Sequence, residues 1–465
     1  MAEKIFATGD TGITGEIKVG AVMEAAVVRK LTWRLVPFLF LLYIVAYLDR
    51  INVGFAALQM QRQLEFTDAV FGLGLGMFFV GYFFFQVPSN LALERVGARR
   101  WITLLMIIWG VISGSMVLVR GPHSFYALRF LLGAAEAGFF PGVIFYLKSW
   151  FPARARARTV ARFMTAAPLS GVIGGPISGA LLGLHMKAGL AGWQWMFLME
   201  AIPAVVLGVV ALVYLLDRPE DARWLSGEQR EWLLATLAHE RELVAEPGKG
   251  RSRPLAQNAS RMKQGHEPGA FAFLSMGRVW MLAAVYFGLN TVSYGVSLWL
   301  PKMIQSLSGV SNFVIGLLSA IPYIAAALAM VAVGLHSDRT GERRWHTAAP
   351  AFTGAMALTG AAYSTSVGPT IVLISITVLC VFSMMGPFWA MPTSFLSGAA
   401  AAAGIAFINS IGNLGGFAGP YVIGLVRTST GGFKGGLLLV SAALAASGAI
   451  ALRVRAQVQQ PSRGA

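Results

Sequence analysis

The sequence predicts an all-α membrane protein with twelve transmembrane helices arranged as two six-helix halves. Three observations carry that prediction. Apolar residues make up 56% of the 465 positions and charged residues only 12%, about half the charge with which a soluble chain covers itself. Apolar stretches of membrane-spanning length recur between residues 35 and 452. The chain also repeats itself. Glu94-Arg95-Val96-Gly97-Ala98-Arg99-Arg100-Trp101 aligns with Asp338-Arg339-Thr340-Gly341-Glu342-Arg343-Arg344-Trp345, and Gly175-Pro176 aligns with Gly419-Pro420, both at the offset 338 − 94 = 244. Two landmarks at one offset mark a duplicated half.

Residues 1–34 read as an N-terminal tail, rich in Gly, Thr and charge to about residue 20 and expected to be disordered there. The tail has no signal-peptide core, so the first span is expected to act as an uncleaved signal. Spans are predicted at 35–57, 69–93, 101–119, 124–147, 160–183 and 193–216, then at 279–301, 311–335, 346–365, 369–391, 402–426 and 433–453. The first half is thus 35–216, the second 279–453, with a long loop at 217–278 and a C-terminal tail at 454–465. That loop opens with a predicted helix: Ser226 caps it, Gln229 completes a capping box, and Trp232, Leu233 and Leu237 form an apolar stripe. Residues 247–268, rich in Gly, Pro, Lys and Arg, read as a flexible linker.

Charge sets the orientation. The short loops after spans two, four and eight carry Arg95, Arg99, Arg100, Lys148, Arg154, Arg156, Arg158, Arg339, Arg343 and Arg344. The opposite loops carry scattered bases such as Arg62, Arg120, Lys187 and Lys302. The positive-inside rule then places both termini in the cytoplasm. The net charge of +16 belongs to topology, and no nucleic-acid partner is expected. A single cysteine, Cys380, excludes a disulfide within one chain.

Gly334-Leu335-His336-Ser337-Asp338-Arg339-Thr340-Gly341-Glu342-Arg343-Arg344 is close to the loop signature of the major facilitator superfamily, and the resemblance covers all twelve spans. The first-half copy departs from that signature, with Asn90 and Glu94 where Gly and Asp are usual. Four further motifs, in order, resemble the anion:cation symporter family: Asp49-Arg50-Ile51-Asn52, Val87-Pro88-Ser89-Asn90, Arg129-Phe130-Leu131-Leu132-Gly133-Ala134-Ala135-Glu136-Ala137-Gly138 and Asn409-Ser410-Ile411-Gly412-Asn413-Leu414-Gly415-Gly416. That family includes microbial carriers for tartrate, phthalate, hydroxyphenylacetate and sugar acids, and the vesicular glutamate and sialic acid transporters. The resemblance implies alternating access by rocking of the two halves, with proton-coupled import of an organic anion. It also implies that Asp49 and Glu136 carry protons and that Arg50 and Arg129 serve the anion or pair with the acids.

The residues point the same way. A charge at the bilayer centre costs about 2.5–3.5 kcal/mol or more. Adding 244 to Asp49, Arg50, Arg129 and Glu136 lands on Ser293, Tyr294, Leu373 and Cys380, so the second half forms its helices without those charges. Arg129 and Glu136 share one face of span four, with Gly133 between them leaving space. Counted at 1.5 Å per residue, Asp49 and Arg129 fall within roughly 5 Å of depth, and a pair between them is expected. The competing reading is a set of static ion pairs that lock helix packing.

Tyr43, Tyr47 and Arg50 share one face of span one and Tyr82 and Gln86 one face of span two, and Tyr47 and Tyr82 are expected at the substrate, against ordinary aromatic packing. In the second half the candidates are Asn290, Tyr294, Trp389, Asn409 and Asn413, with helix-to-helix bonding the alternative for each asparagine. Two prolines around Trp389 interrupt span ten, as cavity-lining backbone often does. Glu94, Arg95, Arg99, Arg100, Asp338, Arg339, Arg343 and Arg344 are expected to form cytoplasmic gate contacts. The histidines show no ligand spacing, so no metal or other cofactor is expected, nor any enzyme activity. The expected partners are a small organic anion, H+ and the lipid bilayer. The protein is expected to work as a monomer in a bacterial inner membrane by the microbial resemblance, with a vesicle membrane left open by the vesicular relatives. Two alternatives stay open: a proton-coupled antiporter for drugs or anions, and a membrane receptor on the same scaffold.

Overall fold

The computed structural model describes residues 10–245, 272–396 and 398–454. Span one is α1, Asp10–Ile51, continued by α2, Val53–Gln63; span two is α3, Asp68–Val96; span three is α4, Ala98–Ser115. Span four is α5, Pro122–Glu136, and α6, Phe139–Trp150. Span five is α7, Ala153–Met164, and α8, Ala166–Leu182; span six is α9, Gly192–Tyr214. After α10, Gly227–Ala245, come α11, Gly277–Leu307, α12, Asn312–Thr340, and α13, Arg344–Tyr363. Span ten is α14, Val367–Ser383, and α15, Met385–Ala390; α16, Gly398–Thr430, and α17, Lys434–Arg453, complete the second half.

Ten of these spans are long and apolar enough to cross a bilayer by length and composition alone. The other two, α13 and α16, draw heavily on Ala, Gly, Ser and Thr, which pack between helices and lower mean hydropathy. The helices outrun the predicted spans because hydropathy locates only their apolar middles. In the tail expected to be disordered to about residue 20, residues 1–9 lie outside the described residues, and from Asp10 the expectation is corrected: α1 is helical there and continuous with the first span. The predicted linker at 247–268 and the tail beyond residue 454 lie outside the described residues.

The duplication is visible at atomic detail. Thr67 and Ser311, one repeat offset apart, cap α3 and α12 by accepting from the backbone N–H of Val70 and Val314. Gly97 and Gly341, again one offset apart, close the same helices with φ of 88° and 68°, a region where a Cβ is strained. The loop helix α10 carries the expected capping box, Ser226 Oγ accepting from Gln229 N–H while Gln229 Oε1 accepts from Ser226 N–H.

We call the end carrying α10 and the arginine-rich loops the basic end. At the opposite, far end the halves are in backbone contact. A Cβ on Gly175 would lie 2.5 Å from the Gly316 carbonyl oxygen, and one on Gly72 would lie 2.7 Å from that of Pro420. Gly72 and Gly316 are repeat equivalents, and their partners Pro420 and Gly175 lie one position apart in the repeat, so closely similar contacts are made twice. Asp68 pairs there with Arg427, and Ala69 N–H donates to Thr428 Oγ1 at 2.8 Å. Among the described residues no ion pair joins the two halves at the loops of the basic end, while deeper in Ser410 Oγ donates to Gln86 Oε1 across them at 3.1 Å. Exposed apolar side chains such as Val206, Val209 and Val213 of α9 form the outer surface that lipid covers.

Candidate functional site

Arg50 stands at the centre of the site. One guanidinium nitrogen donates to Glu136 Oε1 and the other donates to Tyr294 Oη at 3.1 Å. Arg50 and Tyr294 are 244 residues apart, which is the repeat offset. Equivalent positions of two repeats can touch only where their quasi-twofold axis passes between them. Gly54 and Leu298, also one offset apart, touch as well: a Cβ on Gly54 would lie 2.6 Å from the Leu298 carbonyl oxygen. Spans one and seven therefore cross on the axis, and Arg50 sits there. Its side chain keeps 11% of its surface open, against 1% for Glu136.

Aromatic rings surround the guanidinium, at 5.3 Å from Phe78, 5.4 Å from Tyr82 and 6.0 Å from Tyr47. Arg129, fully buried, faces Phe78 at 5.0 Å, so one ring neighbours both arginines. Arg129 Nε donates to the Gly74 carbonyl at 3.4 Å, while its two terminal nitrogens have no hydrogen-bond partner among the described residues. α5 comes this close to α3 through Gly133, whose Cβ, if present, would lie 1.8 Å from the Phe78 carbonyl oxygen.

The expected pair between Asp49 and Arg129 does not form. Asp49 instead points at α4 and accepts from Ser113 Oγ at 2.9 Å, Trp109 Nε1 at 3.1 Å and Asn52 Nδ2 at 3.3 Å. Matched depth does not fix rotation about the helix axis. Neighbouring residues point about 100° apart, and Arg50, one step on, meets the acid of span four. Glu136 ends α5, where span four loosens at Ala137 and Gly138 before α6.

The second-half candidates divide. Tyr294 bonds Arg50 directly and packs on Phe79 with ring centroids 4.5 Å apart. Asn290 Nδ2 donates to the Gly412 carbonyl at 3.1 Å, tying α11 to α16. Asn413 is buried and Asn409 half-buried, and neither makes a hydrogen bond with the described residues. One residue on from Asn409, Ser410 Oγ donates to Gln86 Oε1 across the halves at 3.1 Å. Trp389 is half-buried against Tyr286 and Phe388.

The loop charges lie apart from this centre. Arg99 of the first half meets Asp217, at the start of the long loop, at 3.6 Å, and Arg343 meets Asp338 within the second half at 2.7 Å. Glu94, Arg95, Arg100, Arg339 and Arg344 make no ion pair with the described residues. His336 and His346, which sequence spacing did not connect, meet nitrogen to nitrogen at 2.7 Å, with Glu342 on the other ring nitrogen of His346 at 3.0 Å. No group of three metal-ligating side chains gathers among the described residues.

One buried charge escaped the sequence reading. Glu200 of α9 is 4% exposed and accepts from Ser178 Oγ at 2.7 Å. The repeat offset marks it too, since 244 residues on lies Leu444.

Comparison with known proteins agrees with this architecture. The family model described as Major Facilitator Superfamily matches residues 39–420. A putative tartrate transporter of Agrobacterium vitis is 51% identical over 92% of this chain and 95% of its own length. A quinolone resistance transporter of Acinetobacter baumannii is 40% identical over 90% of this chain and 92% of its own. Among solved structures, a bacterial homologue of the human lysosomal transporter Spinster superposes with a TM-score of 0.71 at 16% identity, covering 93% of this chain and 97% of that one.

Proposed function

This chain belongs to the Major Facilitator Superfamily as a multi-pass membrane transporter, not an enzyme, and we propose that it imports an organic carboxylate together with protons. The observation that carries the proposal is Arg50: a cation on the quasi-twofold axis, partly open, and bonded to an acid that a substrate can replace. An incoming carboxylate takes the guanidinium fork from Glu136. Glu136, left buried without its cation, then takes a proton, because an unpaired carboxylate at that depth is costly. Anion and proton therefore load together. Tyr47, Tyr82 and Tyr294 offer hydroxyls to the rest of the substrate, and the free nitrogens of Arg129 offer a second anchor beyond Phe78. Asp49, held by neutral donors alone, serves as the second proton site. Asn290, Trp389, Asn409 and Asn413 line the second-half side.

The basic end lies in the cytoplasm by its arginines. The joined far end then faces outside, as in an inward-open carrier. Glu94, Arg95, Arg99, Arg100, Asp338, Arg339, Arg343 and Arg344 would close the basic end when the carrier opens outward. The halves, 35–216 and 279–453, rock about the axis within one monomer in a bacterial inner membrane. The tartrate relative supports a small carboxylate as substrate.

The quinolone-resistance relative supports a second reading, export of a drug in exchange for protons. Right-side-out vesicles separate the two. With the outside made acid, radiolabelled tartrate, a sugar acid or an aromatic acid should accumulate above its equilibrium level, and a protonophore should abolish this. Loss of preloaded compound driven by the same gradient would favour exchange.

A further inference from the structure

Span six holds a charge that the anion site does not use. Glu200 has one oxygen bonded to Ser178 of α8, while Oε2 is buried without a hydrogen-bond partner among the described residues. No Lys, Arg or His pairs with it there. The polar groups that face it are Ser178 from span five and Asn52 and Asp49 from span one. On α4, Trp109 and Ser113 are both bonded to Asp49.

A second orphan lies beside the first. Asn52, fully buried, donates from Nδ2 to Asp49 Oδ1 at 3.3 Å, yet its Oδ1 has no donor among the described residues. Its side chain faces the Glu200 carboxyl, with no hydrogen bond between the two. An amide oxygen and a carboxylate oxygen both accept, so they cannot bond each other. One proton resolves both orphans: placed on Glu200 Oε2, it makes that atom a donor to Asn52 Oδ1. The amide is then fixed with Nδ2 toward Asp49, which takes its third donor as a carboxylate. If Glu200 loses the proton, the amide is free to turn end for end, offering Nδ2 to Glu200 and only an acceptor to Asp49.

We propose that Glu200 is a proton-binding site of the carrier, and that Asn52 links its protonation to that of Asp49. Counted along their helices, Glu200 lies eight residues from the far end of α9 and Asp49 fourteen from the far end of α2. The two ends are not level, because Trp193 N–H donates to Gln59 Oε1; counted from that bond Glu200 is seven residues in and Asp49 ten, so at 1.5 Å per residue Glu200 is roughly 4–5 Å nearer the far surface, on the side from which protons would enter. The linkage to transport rests on the reading of Asp49 given above, whereas the protonation of Glu200 does not.

Infrared spectra of the purified full-length carrier in lipid at neutral pH test the site directly. Glu200→Gln should remove intensity from the carboxylic-acid carbonyl band and leave the carboxylate bands unchanged. Loss from the carboxylate bands, with the acid band intact, would overturn the proposal. If that variant does not fold, Asn52→Leu takes its place: the acid band should shift as the O–H loses its acceptor, and an unmoved band is the refuting result. Normal proton-driven uptake by Asp49→Asn would refute the coupling reading while leaving the Glu200 band where it is.

Discussion

Arg50 makes two bonds that a carboxylate can take over, to Glu136 and to Tyr294. Arg50→Lys keeps the charge and loses the planar fork. A charge-assisted hydrogen bond is worth about 1.5–3 kcal/mol, so the half-saturating concentration for uptake should rise by roughly ten- to a hundredfold. Unchanged affinity would take Arg50 out of the binding site. Asp49→Asn keeps a polar group among Ser113, Trp109 and Asn52 but cannot ionise. Accumulation against a gradient should fail in that variant, and accumulation at the wild-type level would remove Asp49 from coupling. The four charges Asp49, Arg50, Arg129 and Glu136 were legible in the sequence because each stands in an apolar span whose repeat partner is neutral. Their pairing was not. Depth follows from counting along a helix, whereas Arg50 meeting Glu136, with Asp49 turned to α4, depends on helix rotation and neighbour identity. Glu200 carries the same sequence signal, a lone acid whose repeat partner is Leu444. Its partners Ser178 and Asn52 are ordinary residues until the fold brings them together.

The far-end closure is made by glycine faces on paired spans, α8 on α12 and α3 on α16. A sequence shows glycines; which backbone each one meets needs the structure. Gly316 makes this testable, because a Cβ there would lie 2.2 Å from the Gly175 carbonyl oxygen. Overpacking of this kind costs about 1–3 kcal/mol, which corresponds to roughly 5- to 150-fold in the population of the closed state. Ser297 reports on it, lying between the halves beside Ile51, Gly171 and Tyr323. In a Cys380→Ser background, Ser297→Cys should be protected from an impermeant thiol reagent added outside. Adding Gly316→Val should raise its labelling several-fold. Equal protection with and without the valine would show that the glycine contact does not hold the far end shut.

At the scale of the whole molecule, the duplication explains both the architecture and the site. The 244-residue offset places matching caps on α3 and α12, matching turns at Gly97 and Gly341, and matching contacts at Gly72 and Gly316. The same offset sets Arg50 against Tyr294 on the axis, so a charge and a phenol meet where the halves pivot. Asp49, Arg50, Arg129 and Glu136, all in one half of a symmetric scaffold, suit the proposed carrier: two matching bodies to rock and one place to load anion and proton. The basic end, with no ion pair between the halves among the described residues, is where the load would leave. External pH in a lightly buffered suspension of de-energised cells expressing the protein tests this most directly, as carboxylates are added one at a time. Proton symport predicts that the medium turns alkaline with a transported carboxylate and not in vector controls. Acidification on addition, or entry of labelled carboxylate with no change in pH, would contradict it.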